Sequence, residues 1–352
     1  MNDKTVRVGL IGAGANTRSR HIPGFRAIGG VEIAGVANRT PASAQMVATE
    51  FSLPRVYPDW QAVLDDSHID AVCIGTWPNM HCEITCAALA AGKHVLCEAR
   101  MARNATEAHR MLVAAQSHPG KVAQIVPSPF GLVQDQYVKT LIDQGYLGEL
   151  RELVVVGADD SFWDYTELLH WRQESELSGL NVLTLGILHE TAARWTPPTT
   201  RVFAQSRIFE PQRPSRTGQG LVEVTVPDSL QVLTYLEGGA RGIYHFSGVD
   251  LFGPGKQIHL YGSRGTIKYL AGEQEQLLCG RAGDSQLRVI ELPTEKRGGW
   301  RVEAEFISAI RGYERISRTD FPTGVRYMEF TEAVARSAAL NQPVDLPLKG
   351  LG

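Results

Sequence analysis

No stretch of the 352 residues stays apolar for the roughly 18–20 positions that a membrane-spanning helix needs, so insertion into a bilayer is not expected. Charge of one sign is equally scarce. The 35 Lys and Arg face 38 Asp and Glu, net −3, mixed along the chain, and no block is long enough to gather phosphate polymers. A nucleic-acid partner is therefore not expected. Cysteine is sparse and odd in number: of Cys73, Cys82, Cys86, Cys97 and Cys279, four fall in one mostly apolar stretch, the pattern of reduced buried thiols and not of a disulfide framework. Cys82 and Cys86 could share a helix face, but with no second pair at metal spacing no metal is expected. No leader is expected either, since "MNDKTVRVGLIGAG" passes straight into a strand and a glycine turn, and the protein is expected in the cytoplasm.

What is present is alternation. Val6 to Ile11 is a short apolar run that ends in "GAGANTRSRH", and Ile22 to Ile28 continues in a helical pattern. "VEIAGVANRT" reads as a second buried strand, "PASAQMVATEFSL" as a helix, "AVCIGTW" as a strand and "HCEITCAALAAGK" as a helix. The pattern continues through "HVLCEA", "NATEAHRMLVAAQSH" and "VAQIVPSPF", and it predicts a parallel sheet with helices on both faces. After Gly131 the texture changes. A helix runs into a strand over "VQDQYVKTLIDQGYLGELREL", a loop-rich stretch follows from Asp159 to Ser178, and "GLNVLTLGILHETAARW" reads as helical. Consecutive strand-like runs from Thr200 to Ile290 favour an antiparallel sheet, and two helices close the chain. At this length two cores are expected.

The glycine turn carries the first functional signal. A turn between a buried strand and a helix start aims backbone N–H groups and the positive end of the helix dipole at a pyrophosphate. Gly12, Gly14, Ala15 and Asn16 form it, although Thr17 stands where the fingerprint has its third glycine. Base specificity is expected at the end of the second strand, where an acid would accept the ribose hydroxyls of NAD. Here Asn38, Arg39 and Thr40 stand instead, and Arg39 can fork onto a phosphate, which points to NADP, with NAD as the alternative.

With these elements and "GTWPNMHCEITCAALAAGKHVLCEA", "HWRQESELSG", "YGSRGTIKY", "EFISAIRG" and "GVRYMEFTEAVARSA" in this order, the sequence resembles the Gfo/Idh/MocA family of dehydrogenases over nearly its whole length. The resemblance implies an α/β fold: a Rossmann doubly wound parallel sheet over 1–127, then an α+β domain over 128–352 with an open, mostly antiparallel sheet for substrate binding and oligomerisation. It also implies a homo-oligomer, dimer or tetramer, and oxidation or reduction of a secondary alcohol on a sugar or polyol. Thr76, Trp77 and His81 are then expected along the cofactor, and Glu98 near the nicotinamide ribose.

The departures are informative. Family members usually carry Glu-Lys-Pro where this chain has Glu98, Ala99 and Arg100, and the lysine is their acid/base or substrate anchor. A methyl group cannot transfer a proton, and Arg100 can only anchor an oxygen, stabilise negative charge or form an ion pair. The Asp and His that relatives show four apart fall on Thr184 and Leu188, with His189 and Glu190 next to them. A third departure is "VPSPFG", where relatives have an Asn-Arg-Arg-Phe-like stretch. Proton transfer then falls to Asp160, Tyr165, His170 or His189, of which Tyr165 and His189 lead. Trp163, Trp171 and Arg172 are candidates for holding a sugar or for packing. Two other readings stay open: a lyase or glycosidase that oxidises its substrate transiently on a tightly held NAD, and a non-catalytic nucleotide sensor.

Overall fold

Short runs of fully buried aliphatic residues build the first sheet of the computed structural model, which describes residues 5–350; Met1 to Lys4, part of the stretch read for a leader, lie outside them. Its strands are β1 (Val6–Ile11), β2 (Val31–Ala37), β3 (Ala71–Ile74), β4 (His94–Cys97) and β5 (Ala123–Ile125). All pair in parallel, in the order β2-β1-β3-β4-β5. Every residue of β3 has zero exposure, as a strand covered on both faces requires. The helices between them are punctuated by local chemistry. Pro41 and Pro78 open two of them, and Asn104 caps a third by accepting from the Glu107 N–H at 2.9 Å. Glu107 reaches back to the Arg103 N–H, and Gly92 at φ +72° ends the helix Pro78–Ala90. Because β1 lies between β2 and β3, the chain reverses its winding direction there, and the crevice at this switch point is where such sheets bind ligands.

The second sheet has nine strands in the order β15-β14-β13-β12-β6-β11-β10-β7-β16. They are β6 (Leu150–Ala158), β7 (Thr199–Arg207), β10 (Ser229–Leu236), β11 (Arg241–Ser247), β12 (Gly255–Gly262), β13 (Gly265–Ala271), β14 (Gln276–Arg281), β15 (Arg288–Val289) and β16 (Val344–Asp345); β8 (Gln212–Pro214) and β9 (Leu221–Glu223) form a separate hairpin. The large sheet is antiparallel except for β6 with β11. One face alternates into a core with Leu230, Val232, Tyr244, Phe246, Ile258 and Leu260, packed with Leu185, Leu188, Phe330 and Val334 from helices. Its other face is open.

The described residues fold as two compact units, 5–127 with 301–328, and 128–300 with 329–350. The sequence offered a single boundary, after Pro127. The return of 301–328 to the first unit has a physical cause: Phe321, Val325, Tyr327 and Met328 fill the first unit's core, and Asp320 bridges Gln124 beside β5. "GLNVLTLGILHETAARW" is helical only over Leu185–Ala193, because Gly179 and Leu183 take positive φ and the Asn181 amide bonds to Ser178 O. Among the described residues no helix is long and apolar enough to cross a membrane.

Candidate active site

The glycine turn sits at the carboxyl end of β1. Gly12 has φ +85°, and a Cβ there would meet the Thr76 backbone nitrogen at 2.6 Å, so only glycine fits. Its N–H donates to Ala37 O at 2.8 Å and the next N–H, of Ala13, donates to Asn38 Oδ1 at 2.7 Å. Asn38 therefore holds the turn. Thr17, in place of the third glycine, donates its hydroxyl to Gly12 O and begins a π-helical turn, Thr17–His21, that runs into the helix Ile22–Arg26. By contrast a Cβ on Gly14 would touch nothing nearer than 3.8 Å, and Gly14 and Ala15 are exposed, which leaves room for a ligand to approach the backbone. The Thr76 hydroxyl, at the end of β3 beside Gly12, is buried without a hydrogen-bond partner among the described residues. An open glycine backbone and a buried unsatisfied hydroxyl at the switch point fit a dinucleotide.

The flanking residues divide by role. Thr40 caps the helix Pro41–Glu50 by accepting from Ser43 N, so Arg39 is the exposed cation at the end of β2, its guanidinium 5.0 Å over the ring of Trp77. His81 is fully buried, with Nε2 3.0 Å from Thr76 O and Nδ1 2.9 Å from Arg100 O; burial lowers its pKa, and it ties together the two loops that carry those residues. Arg100 itself is 4% exposed, and the peptide bond before it is cis.

Glu98, at the end of β4, is more constrained than the sequence implied. Its Oε1 accepts from His21 Nε2 at 2.8 Å and from the Asn16 amide, and its Oε2 accepts from the Ala99 N–H at 3.2 Å. The other ring nitrogen of His21 lies 2.5 Å from Glu303 Oε1. Neither His21 nor Glu303 was among the sequence candidates. They stand 282 positions apart, and the signal that could have marked one of them was a histidine in the helix that leaves the turn.

In the second unit the candidates separate clearly. His189 stacks on Phe330 with centroids 3.5 Å apart and shares a 2.9 Å hydrogen bond between its Nδ1 and the Tyr244 hydroxyl. Burial pushes its pKa down to about 3, so it is a neutral ring in the core at physiological pH. His170 caps the turn Trp171–Gln173, and burial with Arg172 and Arg216 nearby lowers it to about 4. Tyr165, in contrast, is 60% exposed on a loop whose shape is held from within. Arg213, 1% exposed, donates to Phe162 O and Asp164 O, and the Asp164 carboxylate closes a turn onto Thr166. Trp163 and Asp160 are exposed on the same loop; Trp171, partly buried, carries Arg172 4.3 Å over its ring. Thus Tyr165 presents an exposed hydroxyl on a loop braced by Arg213 and Asp164, whereas both histidines are committed elsewhere.

Comparison with known proteins matches two segments of the chain. Residues 6–125 match the family model of the Gfo/Idh/MocA oxidoreductases with NAD-binding Rossmann fold, and residues 136–268 match the Gfo/Idh/MocA C-terminal domain. The chain is 31% identical over 268 residues, 75% of it and 74% of the relative, to a dTDP-3,4-didehydro-2,6-dideoxy-alpha-D-glucose 3-reductase of Saccharopolyspora spinosa. It is 24% identical over 350 residues, 89% of each chain, to a levoglucosan dehydrogenase of Pseudarthrobacter phenanthrenivorans. A solved levoglucosan dehydrogenase, in complex with NADH and L-sorbose, shares the fold with a TM-score of 0.87 at 23% identity, covering 97% of this chain and 99% of that one.

Proposed function

The chain belongs to the Gfo/Idh/MocA oxidoreductase family, and we propose that it transfers hydride between a nicotinamide dinucleotide and a secondary alcohol or ketone of a sugar-like or cyclic polyol substrate. The cradle at the β1/β3 switch point carries this reading: Gly12 and Gly14 admit a pyrophosphate, and the Thr76 hydroxyl waits for a partner. Arg39, exposed beside Trp77 and without an acid near it in sequence, supports NADP before NAD. Bound there, the dinucleotide supplies the hydride acceptor or donor. The chain's own task is the proton. With Ala99 at the lysine position and His189 neutral in the core, we assign proton transfer to the Tyr165 hydroxyl, and Arg100, always charged, contributes only electrostatics.

The test is hydride exchange: the purified chain with NADP or NAD and a panel of sugars, cyclic polyols and their ketones, followed by nicotinamide absorbance. Turnover with one of them is expected. Cofactor binding without exchange on any would refute the assignment. The missing lysine also favours a second reading, elimination or glycoside cleavage through transient oxidation, and reduced cofactor accumulating in step with substrate loss would exclude it.

Self-association belongs to the same proposal. On the open face of the nine-stranded sheet Phe203, Leu233 and Ile243 are exposed and adjacent in register, with Tyr235 on the next row but one along β10, and such an apolar patch suits a second copy of the chain. The five cysteines are all free thiols, which fits a reducing, cytoplasmic setting.

A further inference from the structure

Three ionisable side chains meet inside the first unit: Glu303 from the helix Val302–Ile310, His21 from the turn helix, and Glu98 from the end of β4. His21 has zero exposure, and its two ring nitrogens face one carboxylate each, at 2.5 and 2.8 Å. A neutral imidazole has one N–H to donate, whereas an imidazolium has two, and here both acceptors are carboxylates, whose negative charge favours the charged ring in a way that the two carbonyls around His81 do not. Gly24 makes the arrangement possible, because a Cβ there would stand 2.7 Å from the Glu303 carboxyl.

The consequence falls on Glu98. Its Oε1 already takes two donors, His21 and Asn16, while Oε2 takes the Ala99 N–H. A carboxylate has about four acceptor directions, so Oε2 has capacity left. The Glu98 side chain also keeps 14% exposure, against 4% for Glu303. We infer that Glu303 and His21 are positioning residues that hold Glu98 ionised, with Oε2 turned to accept a hydroxyl from the ribose of the bound dinucleotide. The inference rests on the functional reading above.

The electrostatics agree with the geometry. Burial works against charge on His21, but the hydrogen bonds and charges of Glu303 and Glu98 overcome it and raise its pKa to about 9. Burial likewise works against charge on Glu98, yet His21 and Asn16 hold its carboxyl below the usual range. Cys73 on β3 and Cys97 on β4 are thiols raised by burial, and His81 on the helix Pro78–Ala90 is lowered by burial.

Fluorescence titration of the whole chain with NADH and NADPH tests this in wild type, His21→Gln, Glu303→Gln and the double variant. H21Q is expected to weaken binding about tenfold at neutral pH, and to make affinity fall further as pH drops, because Glu98 then loses its cationic partner and takes up a proton. E303Q should weaken binding less, and add nothing in the H21Q background, since it acts through His21. Nitrogen NMR of the His21 ring should show both nitrogens protonated at neutral pH in wild type. Folded variants that bind as wild type does, with the same pH profile, would overturn the proposal alone. If H21Q fails to fold, E303Q and the ring NMR decide it. A wild-type chain that binds neither dinucleotide would overturn the functional reading and this proposal together.

Discussion

Raising the pH should strip stability from this protein through one histidine. His21 moves from an ordinary pKa of 6.5 to about 9 on folding, so the folded state binds that proton more tightly than the unfolded chain does. The stabilisation is full below about pH 6.5 and is lost as pH rises through about 9. A shift of roughly 2.5 units corresponds to about 3 kcal/mol, of which about 2 kcal/mol disappears between pH 7.5 and 10. Glu98, held below the usual carboxylate range, is ionised at both ends of that window, so its own titration does not intrude. The Cys86 thiol does, with the opposite sign: the Cys82 thiol lowers its pKa, and a depressed acid gains stability as pH rises. A C86S background removes it. Scanning calorimetry of C86S and of C86S with H21Q at several pH values is the assay. The gap in Tm should narrow by roughly 4–8 °C between pH 7.5 and 10, at 2–4 °C per kcal/mol. A gap that stays constant with pH would refute a charged His21.

Gly12→Ala should cost about 1–2 kcal/mol from positive φ alone and more from the clash with the Thr76 backbone at 2.6 Å, and cofactor affinity by titration should fall more than tenfold. Tyr165→Phe is expected to lower kcat by about 10²–10⁴ with cofactor affinity unchanged, and unchanged kcat would remove Tyr165 from the chemistry. His189→Ala should destabilise the chain by about 2–4 kcal/mol in denaturant melts, through the lost stacking on Phe330 and the Tyr244 hydroxyl left behind. The same residue, with its pKa near 3, should leave no inflection in the wild-type rate profile between about pH 5 and 8. Leu233→Asp with Ile243→Asp should shift the mass in light scattering toward monomer, and an unchanged oligomer would move the interface elsewhere.

Much of the first sheet was legible because its signals are local. β3 is an unbroken apolar run, β4 is one after His94, and the turn at Gly12 announces itself within three residues. The open, mostly antiparallel sheet was legible for the same reason, through the alternation along β10 and β11. The helix around Gly186 was read too long, since the positive φ of Leu183 has no sequence signature in a leucine. The return of 301–328 to the first unit was not legible at all, because an apolar helix face does not say which core it fills.

What the sequence by itself determined is the scaffold and the absence at its chemical centre: strand, glycine turn, helix, and an alanine at position 99 that can carry no proton. Only the tertiary structure decided the state of the residues that remain. His21 is charged because Glu98 and Glu303 reach it from 77 and 282 positions away, and His189 is neutral because Phe330 and Tyr244 wall it off from water. Two histidines of identical chemistry thus end with pKa values of about 9 and about 3. Burial and charge act through space, over distances that the order of residues along the chain does not record.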